Sequence, residues 1–222
     1  DVSDPAAPEI VYSYDTPGSP TGIASDGSYA YIATGTRYFQ TVDLNLPTAP
    51  AIHGEYAASG VDDVRVRGSH AYVTGRSPHR MQLLDVSSLN APAEAGSVSL
   101  EETSALALTG DYAFIVDGSK GLKIADIADP DAPHIIGSIP SITGTLFSVD
   151  ILGDYAYAAG SGGIEVYDIS DPANPFDVAL LDADPGGMNE AIVYRGTLYA
   201  IDGAYFQPTA LKIIDISEPT QP

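Results

Sequence analysis

Short runs of alternating apolar and polar residues, broken by Gly, Pro and Asp, fill this chain from end to end. In one stretch Ala105–Leu108 precedes a turn at Gly110 and Tyr112–Val116 follows it; Leu122–Ile127 then enters a proline-rich turn, and His134–Ile139 leaves it. Period-two alternation and β-branched residues between turn formers predict strands joined by hairpins. No stretch carries an apolar stripe at helical spacing between caps, so the expected helix content is close to nil.

This four-strand pattern recurs. One turn, opening on Asp and closing on Pro, is written as Asp1–Pro8, Asp43–Pro50, Asp85–Pro92, Asp126–Pro133, Asp168–Pro175 and Asp215–Pro222. Its leading Asp returns after 42, 42, 41, 42 and 47 residues. A second landmark keeps the same phase: Gly27–Tyr31, Gly68–Tyr72, Gly110–Phe114, Gly153–Tyr157 and Gly196–Ala200. A period of this length with four strands per unit predicts the blades of a β-propeller. Both landmarks read as structural. Asp and Ser side chains bond the backbone ahead of them, proline fixes φ and stops the strand, and the glycine supplies a backbone angle other residues resist. The tyrosines of the second landmark alternate with small residues and are expected to pack between blades.

The third strand of each unit appears as Gln40–Leu44, Gln82–Val86, Lys123–Ile127, Glu165–Ile169 and Lys212–Ile216. With these strands the landmarks resemble the LVIVD-repeat family of β-propeller proteins over essentially the whole chain. The resemblance implies a bacterial or archaeal surface or exported protein; it supplies no catalytic residues.

The chain starts just before a fourth-type strand, Glu9–Tyr14, and finishes after a third-type strand, Leu211–Ile216. The expected fold is therefore all-β: a five-bladed β-propeller of four-stranded antiparallel blades, one domain over 1–222, with the N-terminal strand closing the last blade. Closure of this kind removes an open edge. Residues 1–8 and 215–222 are copies of one turn, however, and in a closed ring both seek one place. The alternative is an arc of a larger, six- to eight-bladed propeller.

Composition narrows the partners. With 30 acidic and 9 basic residues, the formal charge is -21 and the pI about 4.1, a field that repels nucleic-acid phosphates and anionic membranes. There is no cysteine, hence no disulfide framework or thiolate metal site. No apolar run reaches the ~18 residues of a membrane span, so membrane insertion by this segment is not expected.

In a propeller the fourth-to-first loops share a face with the second-to-third loops, and by family analogy that face binds. Here the former carry Asp15, Asp62, Asp63, Glu101, Glu102, Asp182, Asp184 and Glu190. The latter carry Arg37, Tyr38, Phe39, Arg76, His79, Arg80, Lys120, Tyr205 and Phe206, with an insertion around Tyr205–Pro208. Tyr38, Arg76, Asp62, Glu101, Tyr205 and Phe206 are the binding candidates. Aromatics beside carboxylates suit sugar stacking and hydroxyl hydrogen bonds, or a docked protein loop.

Asp62 and Asp63 are the metal candidates, for calcium, which takes several carboxylate and carbonyl oxygens; no other cofactor is expected. Against calcium, no Asp-x-Asp-x-Asp-Gly loop is present, and adjacent strand residues point to opposite faces. His53, His70, His79 and His134 lack paired spacing. Asp63, Asp150 and Glu190 are the catalytic candidates, placed in or beside the innermost strands. A glycosidase needs two facing carboxyl groups, one with a raised pKa; the competing role is hydrogen bonding to neighbouring inner strands. No nucleophile elbow, phosphate loop or nucleotide fingerprint accompanies them.

The reading is a non-catalytic extracellular or cell-surface interaction or scaffold module, binding a protein, a glycan or copies of itself through one loop face. The alternatives are a glycan-active hydrolase or lectin-like protein using channel-mouth carboxylates, and a self-assembling surface-layer or filament subunit.

Overall fold

Each repeat folds into one antiparallel sheet. The computed structural model describes residues 4, 6–35, 38–46, 49–58, 60–182, 187–204 and 207–219. Blade one comprises β1 (Pro20–Ser25), β2 (Tyr29–Thr34), β3 (Tyr38–Asp43) and β4 (Ala51–Ala57). Blade two comprises β5 (Val61–Arg67), β6 (His70–Arg76), β7 (His79–Asp85) and β8 (Ala93–Ser99). Blade three comprises β9 (Leu106–Thr109), β10 (Tyr112–Val116), β11 (Leu122–Asp126) and β12 (His134–Ile139). Blade four comprises β13 (Leu146–Leu152), β14 (Tyr155–Gly160), β15 (Gly163–Asp168) and β16 (Phe176–Asp182). Blade five comprises β17 (Met188–Tyr194), β18 (Thr197–Ala204) and β19 (Gln207–Asp215). Strands neighbour one another in chain order within every sheet. The one helical element among the described residues is a short 3-10 turn, Gly118–Lys120.

The two landmarks do what their chemistry dictates. In the proline turns the leading aspartates accept from the amide two residues ahead: Asp43 from Asn45, Asp85 from Ser87, Asp126 from Ala128, Asp168 from Ser170 and Asp215 from Ser217. The side chain thus mimics a backbone turn. In the hairpin between the first two strands, Gly27, Gly68, Gly110, Gly153 and Gly196 all have φ between 53° and 96°, a conformation that costs an L side chain about 1–2 kcal/mol.

The core lies between blades. The first and fourth strands carry bulges (for example at Val61/Asp63 and at Leu83/Leu84), which raise local twist. Tyr31, Tyr72, Phe114 and Tyr157, at one register position in successive blades, are 2% exposed or less, and each packs into an inter-blade cluster. Burial of such a ring stabilises by about 1.5–3 kcal/mol. Seams are tightened where a fourth-strand glycine meets the next blade's proline turn. A Cβ on Gly54, Gly96 or Gly137 would stand 2.1, 2.4 or 2.0 Å from the carbonyl oxygen of Leu89, Pro130 or Pro172. Ala179 has the same register position in blade four, opposite Val166.

Five blades form, but one expectation differs from the structure. Blade five has three strands, and residues 9–14, expected beside β19, lie in no strand. Tyr14 instead packs against Ala30, Ile32 and Val42 of blade one. A physical reason is present in the sequence: counted from the proline turn, Tyr12 falls where Gly54, Gly96 and Gly137 fall. At those three glycines even a Cβ would stand 2.0 to 2.4 Å from a carbonyl oxygen of the neighbouring turn.

Candidate functional site

The innermost strands stand side by side in the order β1, β5, β9, β13, β17, and they line a central cavity of about 880 Å³. Its polar wall includes Thr21, Asp62, Asp63, Arg65, Arg76, Ser104, Ser148, Asp150, Asn189 and Glu190; Ile23, Phe147, Ile192 and Ile201 supply apolar wall. A second hollow of about 360 Å³ shares Arg65 and Asp150 with it and continues to Thr109 and Gly153.

The bulge at Val61/Asp63 explains how adjacent aspartates reach one cavity. An extra residue breaks the strict alternation of a strand, so the expected opposition of Asp62 and Asp63 is relaxed. Asp62 accepts from Arg76 Nε at 2.7 Å. Burial raises the Asp62 carboxyl above the ordinary aspartate range, and the Arg76 guanidinium pulls the other way. Two binding candidates are thereby joined as a pair at the mouth of the channel.

Asp63 and Asp150 are both engaged with backbone. Asp63 Oδ2 accepts from the Leu106 amide of β9 at 3.1 Å, while Oδ1 accepts from the Val64 amide and from Arg65 Nη1. Asp150 Oδ2 accepts from the Val193 amide of β17 at 2.7 Å, and Oδ1 from Ile151. Each carboxylate therefore ties its inner strand to the inner strand of the next blade. Glu190, the third catalytic candidate, is exposed at the cavity wall.

The other candidates sit around this mouth without converging. Tyr38 is half-buried at the start of β3. Glu101 Oε2 lies 3.6 Å from Lys120 Nζ. The loop that carries Glu101 is held by Asp117, 1% exposed, whose Oδ1 accepts from the amides of Glu101 and Glu102. Tyr205 and Phe206 lie outside the described residues; around them the insertion lengthens β18 and β19 to 8 and 9 residues. For calcium, Asp62 and Asp63 each face an arginine. Among the described residues no group of three His, Cys, Asp or Glu side chains is placed to hold a metal ion.

Sequence reasoning missed Glu165. It is fully buried, and it accepts from Ser141 Oγ at 2.6 Å, from the amides of Ile142 and Thr143, and from the hydroxyls of Thr143 and Tyr167. These donors gather the β12–β13 loop, on the face that holds the mouth. Burial alone would push its carboxyl up; the donors outweigh it and hold the group below the usual glutamate range. A detectable signal was the lone Glu where other repeats have Gln40, Gln82, Lys123 and Lys212, with Ser141 and Thr143 upstream.

Replacing Glu165 with Gln leaves one acceptor oxygen for several donors and is expected to cost about 2 kcal/mol. A carboxyl with a depressed folded pKa stabilises above its unfolded pKa, near 4.3, and that stability is lost as pH falls through the folded value. Denaturant melts at several pH values should thus show the gap between wild type and Glu165→Gln large at neutral pH and shrinking below pH ~4.3. A gap independent of pH would contradict this role.

The family model for the LVIVD repeat matches residues 1–16, 17–58, 60–99, 102–140, 143–179 and 206–222. No curated protein matches the sequence. Among solved structures, the computationally designed Ika8 protein superposes with a TM-score of 0.68 at 12% identity; the match covers 89% of this chain and 58% of that one. A Bacteroides uniformis protein assigned as a 6-phosphogluconolactonase gives 0.72 at 13% identity, over 87% of this chain and 70% of that one. A chain of the nidogen/laminin complex gives 0.62 at 11% identity, over 82% and 72%. At these identities the likenesses show the fold alone.

Proposed function

Because this chain belongs to the LVIVD-repeat family, we propose that it works as a rigid, non-catalytic interaction module of the cell surface or exterior, holding a protein or a glycan at the channel mouth. The observation that carries this reading is the commitment of Asp63 and Asp150 to amides of neighbouring inner strands. A retaining or inverting hydrolase needs both carboxyls turned toward substrate; carboxylates engaged with backbone are poorly placed for that. The mouth itself offers a charge pair, Asp62 with Arg76, beside hydroxyl and amide side chains and apolar wall. Such a mixture suits polyhydroxylated or peptide ligands, with a few polar groups fixing orientation in a shaped hollow. A structural relative found in the nidogen/laminin complex supports the use of this shape for holding a partner. The acidic, cysteine-free surface suits a module that works in water outside the cell.

The test is immobilised chain against a panel of neutral, amino and acidic oligosaccharides, run beside aryl-glycoside release assays. Saturable binding without turnover is expected, weakened about tenfold by Arg76→Ala, a loss of roughly 1.4 kcal/mol. Glycoside turnover abolished by Asp63→Asn or Asp150→Asn would replace this reading with a hydrolase.

A further inference from the structure

The hairpin between β6 and β7 sets Arg76 and His79 directly opposite one another. Residues so paired hold their Cβ atoms about 4.5–5.5 Å apart on one face of the sheet, where two like charges destabilise. An arginine facing a titratable ring therefore calls for an anion whenever that ring is charged. Asp62 supplies one from within. Its Oδ2 accepts from Arg76 Nε at 2.7 Å, and it stands near enough to His79 for a charged ring to attract it.

The ring is held in one tautomer. Thr103, 2% exposed, commits its hydroxyl proton to the Gly75 carbonyl at 2.6 Å, so its oxygen accepts from His79 Nδ1 at 3.3 Å. Nε2 is then the nitrogen that gains a proton as the pH falls. The ring also faces Glu102, which is fixed by the amide and hydroxyl of Ser119. Next along β7, Arg80 is turned to Glu94.

Set aside the internal pairs Lys120–Glu101 and Arg65–Asp63. At neutral pH Arg76 then stands against Asp62 and Glu102, a net negative rim. With His79 and Asp62 protonated, Arg76 and the imidazolium stand against Glu102, a net positive one. Burial brings Asp62 to protonation at milder acidity than an ordinary aspartate, and a protonated Asp62 no longer neutralises Arg76. Near physiological salt, charges beyond about 8 Å are largely screened, so the local sign outweighs the -21 of the whole chain.

We propose that Asp62 stands in for the carboxylate of an acidic glycan: in mild acid Arg76 and His79 exchange it for a uronate group of the ligand, and at neutral pH Asp62 shuts that group out. The wall beside the pair suits a sugar, because Thr21, Ser104, Ser148 and Asn189 offer hydroxyls and an amide to ring hydroxyls. The inference rests on the channel mouth being the binding site, and it names the ligand and the gate.

Tetragalacturonate and its uncharged methyl ester are titrated against the wild-type chain at either end of the imidazole range, about pH 7.5 and pH 5. The free acid is expected to bind about tenfold tighter at the lower pH, as a hydrogen bond to a charged group allows, and the ester to show no such gain. Asp62→Asn is expected to bind the acid more tightly than wild type at the higher pH, a gain that misfolding cannot produce. His79→Gln is expected to lose most of the pH dependence. The inference is overturned if neither acid nor Asp62→Asn strengthens binding, or if His79→Gln keeps the full dependence. It is also overturned if tetraglutamate gains as much as the galacturonate, which would make the ligand an acidic peptide. Neutral oligosaccharides still held at the mouth and weakened by Arg76→Ala would then leave the broader reading standing; no binding of either kind removes both.

Discussion

Gly137→Leu is expected to lower the unfolding free energy by about 3 kcal/mol, at the upper end of what overpacking costs. The expectation rests on one contact: a Cβ at this position would stand 2.0 Å from the Pro172 carbonyl oxygen. That oxygen is backbone, part of a turn fixed by the Asp168 and Asp171 side chains and the Asn174 amide. It cannot swing aside as a flexible side-chain end would, so blades three and four must separate. Gly153 makes the comparison. It has a positive φ of 58°, yet a Cβ there meets nothing within 4 Å. Gly153→Ala should cost only the backbone term, about 1–2 kcal/mol. Denaturant midpoints of the two variants read the difference. A Gly137→Leu chain as stable as Gly153→Ala would show that the seams are looser than the structure places them.

Much of this architecture was legible because its determinants are local. The Asp43, Asp85, Asp126, Asp168 and Asp215 turns form through contacts two residues long, and such chemistry repeats visibly. The strand limits Tyr112–Val116 and His134–Ile139 follow from alternation between those turns. The burial of Tyr31, Tyr72 and Tyr157 follows from their place among small residues.

What was not legible depends on contacts across sequence. The bulge that brings Asp62 and Asp63 to one cavity leaves no mark in composition. The partners of Asp63 and Asp150 lie 43 residues away, one blade on, and are backbone amides that any sequence would supply. The Glu165 cradle joins residues 22 to 24 apart. Closure of the ring looked local and was not. Glu9–Tyr14 has the pattern of a fourth strand, but a strand's seat is set by neighbours far away in sequence, and here the segment lies in no sheet and Tyr14 packs on blade one.

The second large effect concerns the two inner-strand carboxylates together. Asp63→Ala leaves the Leu106 amide without its acceptor and Arg65 without its 2.5 Å partner. Asp150→Ala does the same to the Val193 amide. A hydrogen bond to a charged group contributes about 1.5–3 kcal/mol, and a buried donor left bare costs about 1–3 kcal/mol. The double variant should therefore lose about 4 kcal/mol of stability. Carboxylates kept for catalysis behave in the opposite sense. They are held in place at a cost to stability, and replacing them commonly leaves a protein as stable or more so.

The most direct test of the account is the unfolding free energy of Asp63→Ala/Asp150→Ala against wild type, from urea denaturation at neutral pH. A loss of about 4 kcal/mol is the predicted result and makes these side chains the ties between blades. A double variant as stable as wild type, or more stable, would contradict the account and return both carboxylates to candidacy for chemistry in the channel.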